Sequence, residues 1–236
     1  MNVVLITAGG VGKRMGVSIP KQFVEVNGKP IIIHTLEIFD NIKEVDKIVI
    51  SCVDGWIDEL KQMIRDYAIG KILCIVNGGQ TGQDSIYNGL CAIDKLVSGN
   101  PLILIHDAVR PLILPETIID NIRKAEYEGC AVTCVHLTET IITCSNNEYI
   151  SVDRSSSLIA RAPQTFRLNE LMEIHERARN DNIHSFVDTC TMMLYYGRKI
   201  SVVYGSPDNI KITSPSDIFA FKSILLKRES EYYLNQ

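Results

Sequence analysis

A cluster of glycines and cations stands near the start of the chain, Thr7-Ala8-Gly9-Gly10-Val11-Gly12-Lys13-Arg14-Met15. Glycines let a backbone approach a ligand closely and turn its N–H groups inward. Lys13 and Arg14 add positive charge, so the chemistry this spacing suits is polyphosphate binding. Two familiar phosphate loops do not fit. The dinucleotide fingerprint, begun at Gly10, needs a third glycine where Met15 stands. The P-loop needs a glycine at Thr7 and a hydroxyl residue at Arg14. A structural turn that merely has basic neighbours is the plainer alternative, and a position at the carboxyl end of a strand argues against it. A second glycine-rich stretch, Gly78-Gly79-Gln80-Thr81-Gly82-Gln83-Asp84-Ser85, opens a helix, where Ser or Asp also serves as an ordinary cap.

The elements that must hold these loops alternate. Val3–Thr7, Lys47–Cys52, Ile72–Val76 and Leu102–His106 are short runs rich in Ile, Val and Leu, near-continuous rather than striped, as strands buried on both faces should be. Helical stretches lie at Pro30–Asp40, Trp56–Ala68, Asp84–Val97 and Pro115–Glu128, with Pro30 and Pro115 suited to a first turn. Strand alternating with helix predicts right-handed βαβ units and a mainly parallel sheet that binds ligands at its carboxyl edge. After Val135 the pattern breaks. Thr140–Cys144 and Tyr149–Val152, around Ser145-Asn146-Asn147, read as a projecting hairpin. Helices resume at Arg167–Asn180 and Asp188–Tyr196, followed by a strand at Lys199–Tyr204 and a helix from about Pro215 to Lys227. The expectation is one domain over residues 1–236 with an inserted arm at 137–157.

Composition narrows the classes. A chain of 236 residues, 46% apolar and 22% charged, can bury a sizeable core without staples. Its 24 Lys and Arg against 28 Asp and Glu give −4, no general reason to bind nucleic acid or membrane. No apolar run approaches the ~20 residues of a bilayer span, and MNVVLITAGG lacks the basic start and cleavage site of a signal peptide. The seven cysteines show no C-x-x-C pair, so zinc is not expected, and they read as free thiols in a reducing cytosol.

Four motifs in order give a resemblance. Ala8–Met15 with Pro20-Lys21-Gln22, Ile105-His106-Asp107-Ala108-Val109-Arg110-Pro111, Ala162-Pro163-Gln164-Thr165-Phe166 and Asp208-Asn209-Ile210-Lys211-Ile212-Thr213 together resemble the cytidylyltransferases of methylerythritol phosphate and ribitol 5-phosphate. The likeness runs from Val3 to about Leu225. It implies a single α/β, Rossmann-like nucleotidyltransferase domain of the nucleotide-diphospho-sugar transferase type, with a mainly parallel twisted sheet, flanking helices and a protruding β-arm. It also implies a reaction of CTP with a polyol phosphate that gives the CDP-polyol and pyrophosphate. Such an acceptor phosphate is already largely ionised near pH 7, its second pKa being ~6, so positioning and fixed cations should carry the reaction.

By the same resemblance Arg14, Lys21 and Lys211 are catalytic. Ala8, Gly9, Gly10, Gly12, Lys13, Gly79, Ser85 and Asp107 bind the nucleotide, and Asp107 holds Mg²⁺, the implied cofactor. Lys13 also fits a solvated charge, and Asp107 a turn cap. His106 reads as structural. Arg110, Thr140, Arg154 and Asp188 bind the acceptor, the arm reaching a second copy in a homodimer, although Arg154 also fits a surface charge and Asp188 a helix cap. Gly82, Ala162 and Glu139 depart from the family's usual Arg, Thr and Asp. Ile142, where methylerythritol phosphate enzymes usually carry Lys, and the Ala-Gly-Gly loop favour ribitol 5-phosphate, while Val152-Asp153-Arg154-Ser155 looks more like the isoprenoid branch. The competing expectations are a sugar-1-phosphate nucleotidyltransferase using another NTP and a catalytically weak nucleotide-binding protein.

Overall fold

The computed structural model describes residues 1–10, 19–145 and 147–234, with side chains of the last helix described through residue 230. Its centre is β1 (Asn2–Ala8), whose side chains alternate between two cores. Val4, Ile6 and Ala8 face one side and Val3 and Leu5 the other, and all five are buried. Fully burying one such aliphatic side chain stabilises by ~1.5–3 kcal/mol, so a strand with no polar face is fixed between layers. On the first side α1 (Ile31–Asp40), α2 (Ile57–Asp66) and α4 (Pro115–Glu128) supply Ile32, Leu36, Leu60, Ile118 and Ile122. On the other, α3 (Gly82–Leu96) and α5 (Leu168–Asn180) supply Leu90, Ile93, Leu171 and Ile174, and α6 (Thr189–Tyr195) adds Met192 and Met193.

The remaining strands are β2 (Glu25–Val26), β3 (Lys29–Pro30), β4 (Lys47–Cys52), β5 (Ile72–Asn77), β6 (Leu102–Asp107), β7 (Cys130–His136), β8 (Ile142–Ser145), β9 (Glu148–Ser151), β10 (Leu158–Arg167) and β11 (Val202–Tyr204). Seven of them form one sheet in the order β11-β7-β10-β6-β1-β4-β5. Every ladder in it is parallel except those of β10, which runs antiparallel between β6 and β7. The last helix, α7 (Pro215–Leu234), buries Phe221 against Val26, Ile31, Val109 and Ile212.

The expected strands and helices form with shifts at their ends, the largest at α7, which runs to Leu234 instead of Lys227, and at β11, which begins at Val202 instead of Lys199. β7 and β10 were not expected as elements. β10 reads poorly as a strand because Arg161 and Pro163 interrupt it, and proline is tolerated in a sheet mainly at edges and bulges. The ladder with β7 indeed shifts register between Ala160 and Gln164. The hairpin of β2 and β3 was also unread, and its turn rests on positive φ at Asn27 (54°) and Gly28 (74°). The projecting arm is β8 paired with β9, Ile142 opposite Ser151 through Ser145 opposite Glu148. All eight of its strand residues are exposed.

Candidate active site

The carboxyl ends of β1 and β6 open onto two adjoining cavities. The smaller, about 220 Å³, is built by backbone. Ala8, Gly9 and Gly10 leave β1 there, and Gly79 faces them across the gap. Two of these glycines, Gly9 and Gly79, leave no room for a side chain. A Cβ on Gly79 would lie 2.2 Å from the Asp84 Cβ, and one on Gly9 would lie 2.7 Å from the Ser85 Oγ.

The second loop is tied down by the start of α3. Thr81 caps the helix, its Oγ1 accepting from the Asp84 N–H at 3.0 Å, while Asp84 Oδ2 accepts from the Thr81 N–H at 3.3 Å. The pair forms a capping box. Ser85 Oγ accepts from the Gly79 N–H and donates to the Thr81 carbonyl, both at 2.9 Å. The helix therefore begins at Gly82, with Thr81 rather than Asp84 or Ser85 as its cap. Ser85 holds the loop's shape and also lines the cavity.

Lys21 enters the same cavity from a 3-10 turn, Lys21–Phe23. Its neighbours fix it. Buried Gln22 donates from Nε2 to the Ala8 carbonyl at 2.7 Å, and buried Phe23 stacks on Trp56 with ring centres 4.6 Å apart.

The larger cavity, about 330 Å³, is walled by side chains, among them Arg110, Arg161, Gln164, Asp188 and His175. Thr7, Gly82, Asp107 and Lys211 line both cavities. Asp107 closes β6 and carries two cations. Its Oδ1 accepts from Lys211 Nζ at 2.7 Å and its Oδ2 from Arg110 Nε at 2.8 Å. Burial alone would raise this carboxyl, but Lys211 and Arg110 outweigh it and hold the group well below the usual carboxylate range. Asp107 is therefore ionised at any working pH.

Lys211 is aimed by its own segment. Ile212 is buried, and its N–H donates to the Val109 carbonyl at 2.9 Å. Asn209 is buried as well, donating from Nδ2 to the Ala162 carbonyl at 2.7 Å. Asp188 caps α6 through the Thr191 N–H (2.8 Å) and accepts from Gln164 Nε2 (3.0 Å), so the capping role and the place at the cavity coexist.

His106 is fully buried, edge-on to Phe39, with Nε2 3.2 Å from the Arg110 carbonyl. That contact requires the proton on Nε2. Burial pushes its pKa down to about 4, so the ring is neutral, a strut under Arg110 as expected. His175 is likewise pushed down to about 4 by burial, and neither ring nitrogen has a partner among the described residues.

The structure thus gathers Ala8, Gly9, Gly10, Lys21, Gly79, Ser85, Asp107 and Lys211 at the smaller cavity, and Asp107, Arg110, Asp188 and Lys211 at the larger. Thr140 and Arg154 line neither. They sit on and beside the arm, exposed, with Arg154 Nη1 donating to the Thr138 carbonyl at 3.2 Å. Gly12, Lys13 and Arg14 lie outside the described residues. Sequence reasoning missed Arg161 and His175. An arginine directly before Ala-Pro-Gln was the available signal for the first, whereas a single histidine inside an amphipathic helix gave none for the second.

Comparison with known proteins identifies the family. The family model described as IspD, 2-C-methyl-D-erythritol 4-phosphate cytidylyltransferase, matches residues 2–227. A ribitol-5-phosphate cytidylyltransferase of Vibrio parahaemolyticus is 45% identical over 233 residues, spanning 98% of each chain. A 2-C-methyl-D-erythritol 4-phosphate cytidylyltransferase of Clostridium botulinum is 36% identical over 229 residues, 96% of this chain and 98% of that one. The crystal structure of the 4-diphosphocytidyl-2C-methyl-D-erythritol synthase from Anaerococcus prevotii superposes with a TM-score of 0.83 at 26% identity over 96% of each chain. With a glycine-built cavity against a cation-lined one, and with these relatives along nearly its whole length, the chain belongs to the 2-C-methyl-D-erythritol 4-phosphate cytidylyltransferase family and so to the CTP-dependent nucleotidyltransferases.

Proposed function

We propose that this protein transfers CMP from CTP to ribitol 5-phosphate, releasing pyrophosphate. The carrying observation is the Lys211–Asp107–Arg110 cluster at the junction of the two cavities, where a nucleotide's α-phosphate and an acceptor phosphate would meet. Ribitol is preferred as acceptor because the relatives of that name are more alike to this chain, 42–45% for four of them against 36% for the Clostridium botulinum methylerythritol phosphate enzyme.

The mechanism follows from charge. An acceptor phosphate oxygen forms a bond to the α-phosphorus of CTP, the bond from that phosphorus to the bridging oxygen breaks, and pyrophosphate leaves. No strong base is needed, since the nucleophile arrives as an anion. The backbone of Gly9, Gly10 and Gly79 shapes the seat for the nucleotide. Lys21 and Lys211 place positive charge along it, and Arg110 orients the incoming phosphate. Preorganised groups of this kind typically contribute ~10²–10³ each to rate. Arg14, outside the described residues, is proposed to join them.

Mg²⁺ is proposed as cofactor, and the donor set fits it. Among the described residues no group of three or more His, Cys, Asp or Glu side chains converges. A single ionised carboxylate, Asp107, stands where phosphates would lie, and Mg²⁺ commonly takes one or two carboxylates and draws its other ligands from phosphates and water. When bound, it would offset charge on the triphosphate.

A homodimer is also proposed. The arm exposes Ile142, Tyr149 and Ile150, each at 61% or more, and carries Thr140 and Arg154 away from its own cavities. Both features suit an arm that completes a second copy's acceptor site. The seven cysteines are free, which supports a reducing compartment, and no helix among the described residues is long and apolar enough to cross a membrane.

The test is pyrophosphate release with four NTPs and two acceptors. Turnover is expected with CTP and ribitol 5-phosphate. Turnover with methylerythritol phosphate alone would reassign the acceptor, and release with UTP, GTP or ATP instead would overturn the nucleotide.

A further inference from the structure

Two arginines meet at one backbone carbonyl beside the larger cavity. Arg110 Nη1 and Arg161 Nη1 each donate to the Asn209 carbonyl oxygen at 2.9 Å, and Arg161 Nη1 also donates to the Pro207 carbonyl at 2.8 Å. Their surroundings differ. Arg110 is ion-paired to Asp107, which also takes Lys211. Arg161 makes no ion pair among the described residues, and its Nε and Nη2 make no hydrogen bond there. The other carboxylate lining this cavity, Asp188, is engaged by α6 and Gln164. Two guanidinium groups held side by side, with one unneutralised, form a place for an anion, and the free Nε–Nη2 edge is the one that grips a phosphate with two parallel bonds.

We propose that Arg161 is a second arginine of the acceptor-phosphate site, acting with Arg110 on the phosphate monoester of the polyol. This rests on the reading of the larger cavity as the acceptor's. The placement favours the acceptor over the nucleotide as the source of the phosphate, because Arg161 lines the larger cavity and does not line the glycine-built one. Burial and the neighbouring Arg110 disfavour the charged guanidinium, while Asp208 favours it. An anion bound between the arginines would offset that repulsion. Arg161 also stands directly before Ala162, where the usual threonine hydroxyl is missing. Recognition that a hydroxyl could give from that place would come here from a charge one residue earlier.

The experiment is steady-state kinetics of Arg161→Leu and Arg161→Lys, varying CTP and acceptor separately. The expected result for Arg161→Leu is a KM for ribitol 5-phosphate about 10–100-fold higher, the range charge-assisted hydrogen bonds reach, with kcat and the KM for CTP within about threefold. Arg161→Lys, which keeps the charge and loses the fork, should recover part of the loss. A merely structural role, bracing the segment of Lys211 through the carbonyls of Pro207 and Asn209, would instead lower kcat and leave the acceptor KM unmoved, and that outcome overturns the proposal. So does a KM for CTP that rises as much as that for the acceptor. Should the wild type accept only methylerythritol phosphate, the ribitol reading falls while Arg161 is judged on that substrate's KM. Should neither acceptor turn over, calorimetric binding of ribitol 5-phosphate decides: tenfold weaker in Arg161→Leu supports the proposal, and equal affinity overturns it.

Discussion

The two cavities meet at Asp107 and are made of different material. One is bounded by glycine backbone and pinned by a capping box, the other by arginine, lysine and carboxylate side chains. Backbone cannot be exchanged by mutation, so the first kind of seat fixes a ligand by shape and tolerates no added atom near Gly79. Side chains can be exchanged singly, so the second kind can be retuned from one phosphorylated polyol to another while the sheet stays the same. Under the proposed assignment of CTP to the first cavity and the acceptor to the second, the contrast would account for relatives named for two different acceptors.

The largest effect should come where the cavities join. Lys211→Ala removes a cation lining both and leaves half of Asp107 without its partner. A fall of ~10²–10³ in kcat is expected, with both KM values altered. A change confined to one substrate would mean that the cavities are less joined than their shared walls imply. Next, Gly79→Ala forces a methyl into the Asp84 side chain. It should raise the KM for CTP by about tenfold or more and lower stability by ~1–3 kcal/mol, the usual cost of overpacking, with the acceptor KM unmoved. Gly70→Ala is the control, since it lines neither cavity and the nearest atom to its Cβ would lie 4.0 Å away.

pH separates the cavities further, because only the larger one has histidines in its wall. His106 and His175 are neutral in the fold, pushed down to about 4 by burial, against ~6.5 when unfolded. The unfolded chain therefore binds protons first. Stability should be full above pH ~6.5 and fall by a few kcal/mol as pH drops towards ~4. The low-lying Asp107 adds its loss only below ~pH 4, where unfolded carboxylates protonate. Melting temperature against pH checks this, and His175→Leu should flatten the upper part of the curve. The smallest effect belongs to Ala162→Thr. It restores a hydroxyl worth ~0.5–1.5 kcal/mol if hydrogen-bonded in a wall where Ala162 is 7% exposed, so the acceptor KM should change by no more than about tenfold.

Much of this was legible in the chain, for physical reasons that differ by region. β1, β4 and β6 announce themselves because strands buried on both faces are dominated by apolar residues. The glycine seat is legible for the same kind of reason, since close approach permits no side chain at Gly9 or Gly79. Lys21, Asp107 and Lys211 came through a resemblance rather than through spacing, because residues 104 positions apart carry no mark of their meeting. Arg161 stayed hidden because its role depends on a carbonyl 48 residues away. β10 stayed hidden because a bulge with a proline looks like a loop.

The position of β10 also sets an order for assembly. It is made after β6 and β7 yet lies between them, with its last ladder residue, Arg167, pairing back to Leu102. During synthesis β6 and β7 cannot close on each other. Each keeps an open edge of buried-type residues until about residue 167 has left the ribosome, and such edges invite pairing with other chains. A nascent chain halted before that point should aggregate, and one halted just after it should already hold six of the seven strands of the sheet.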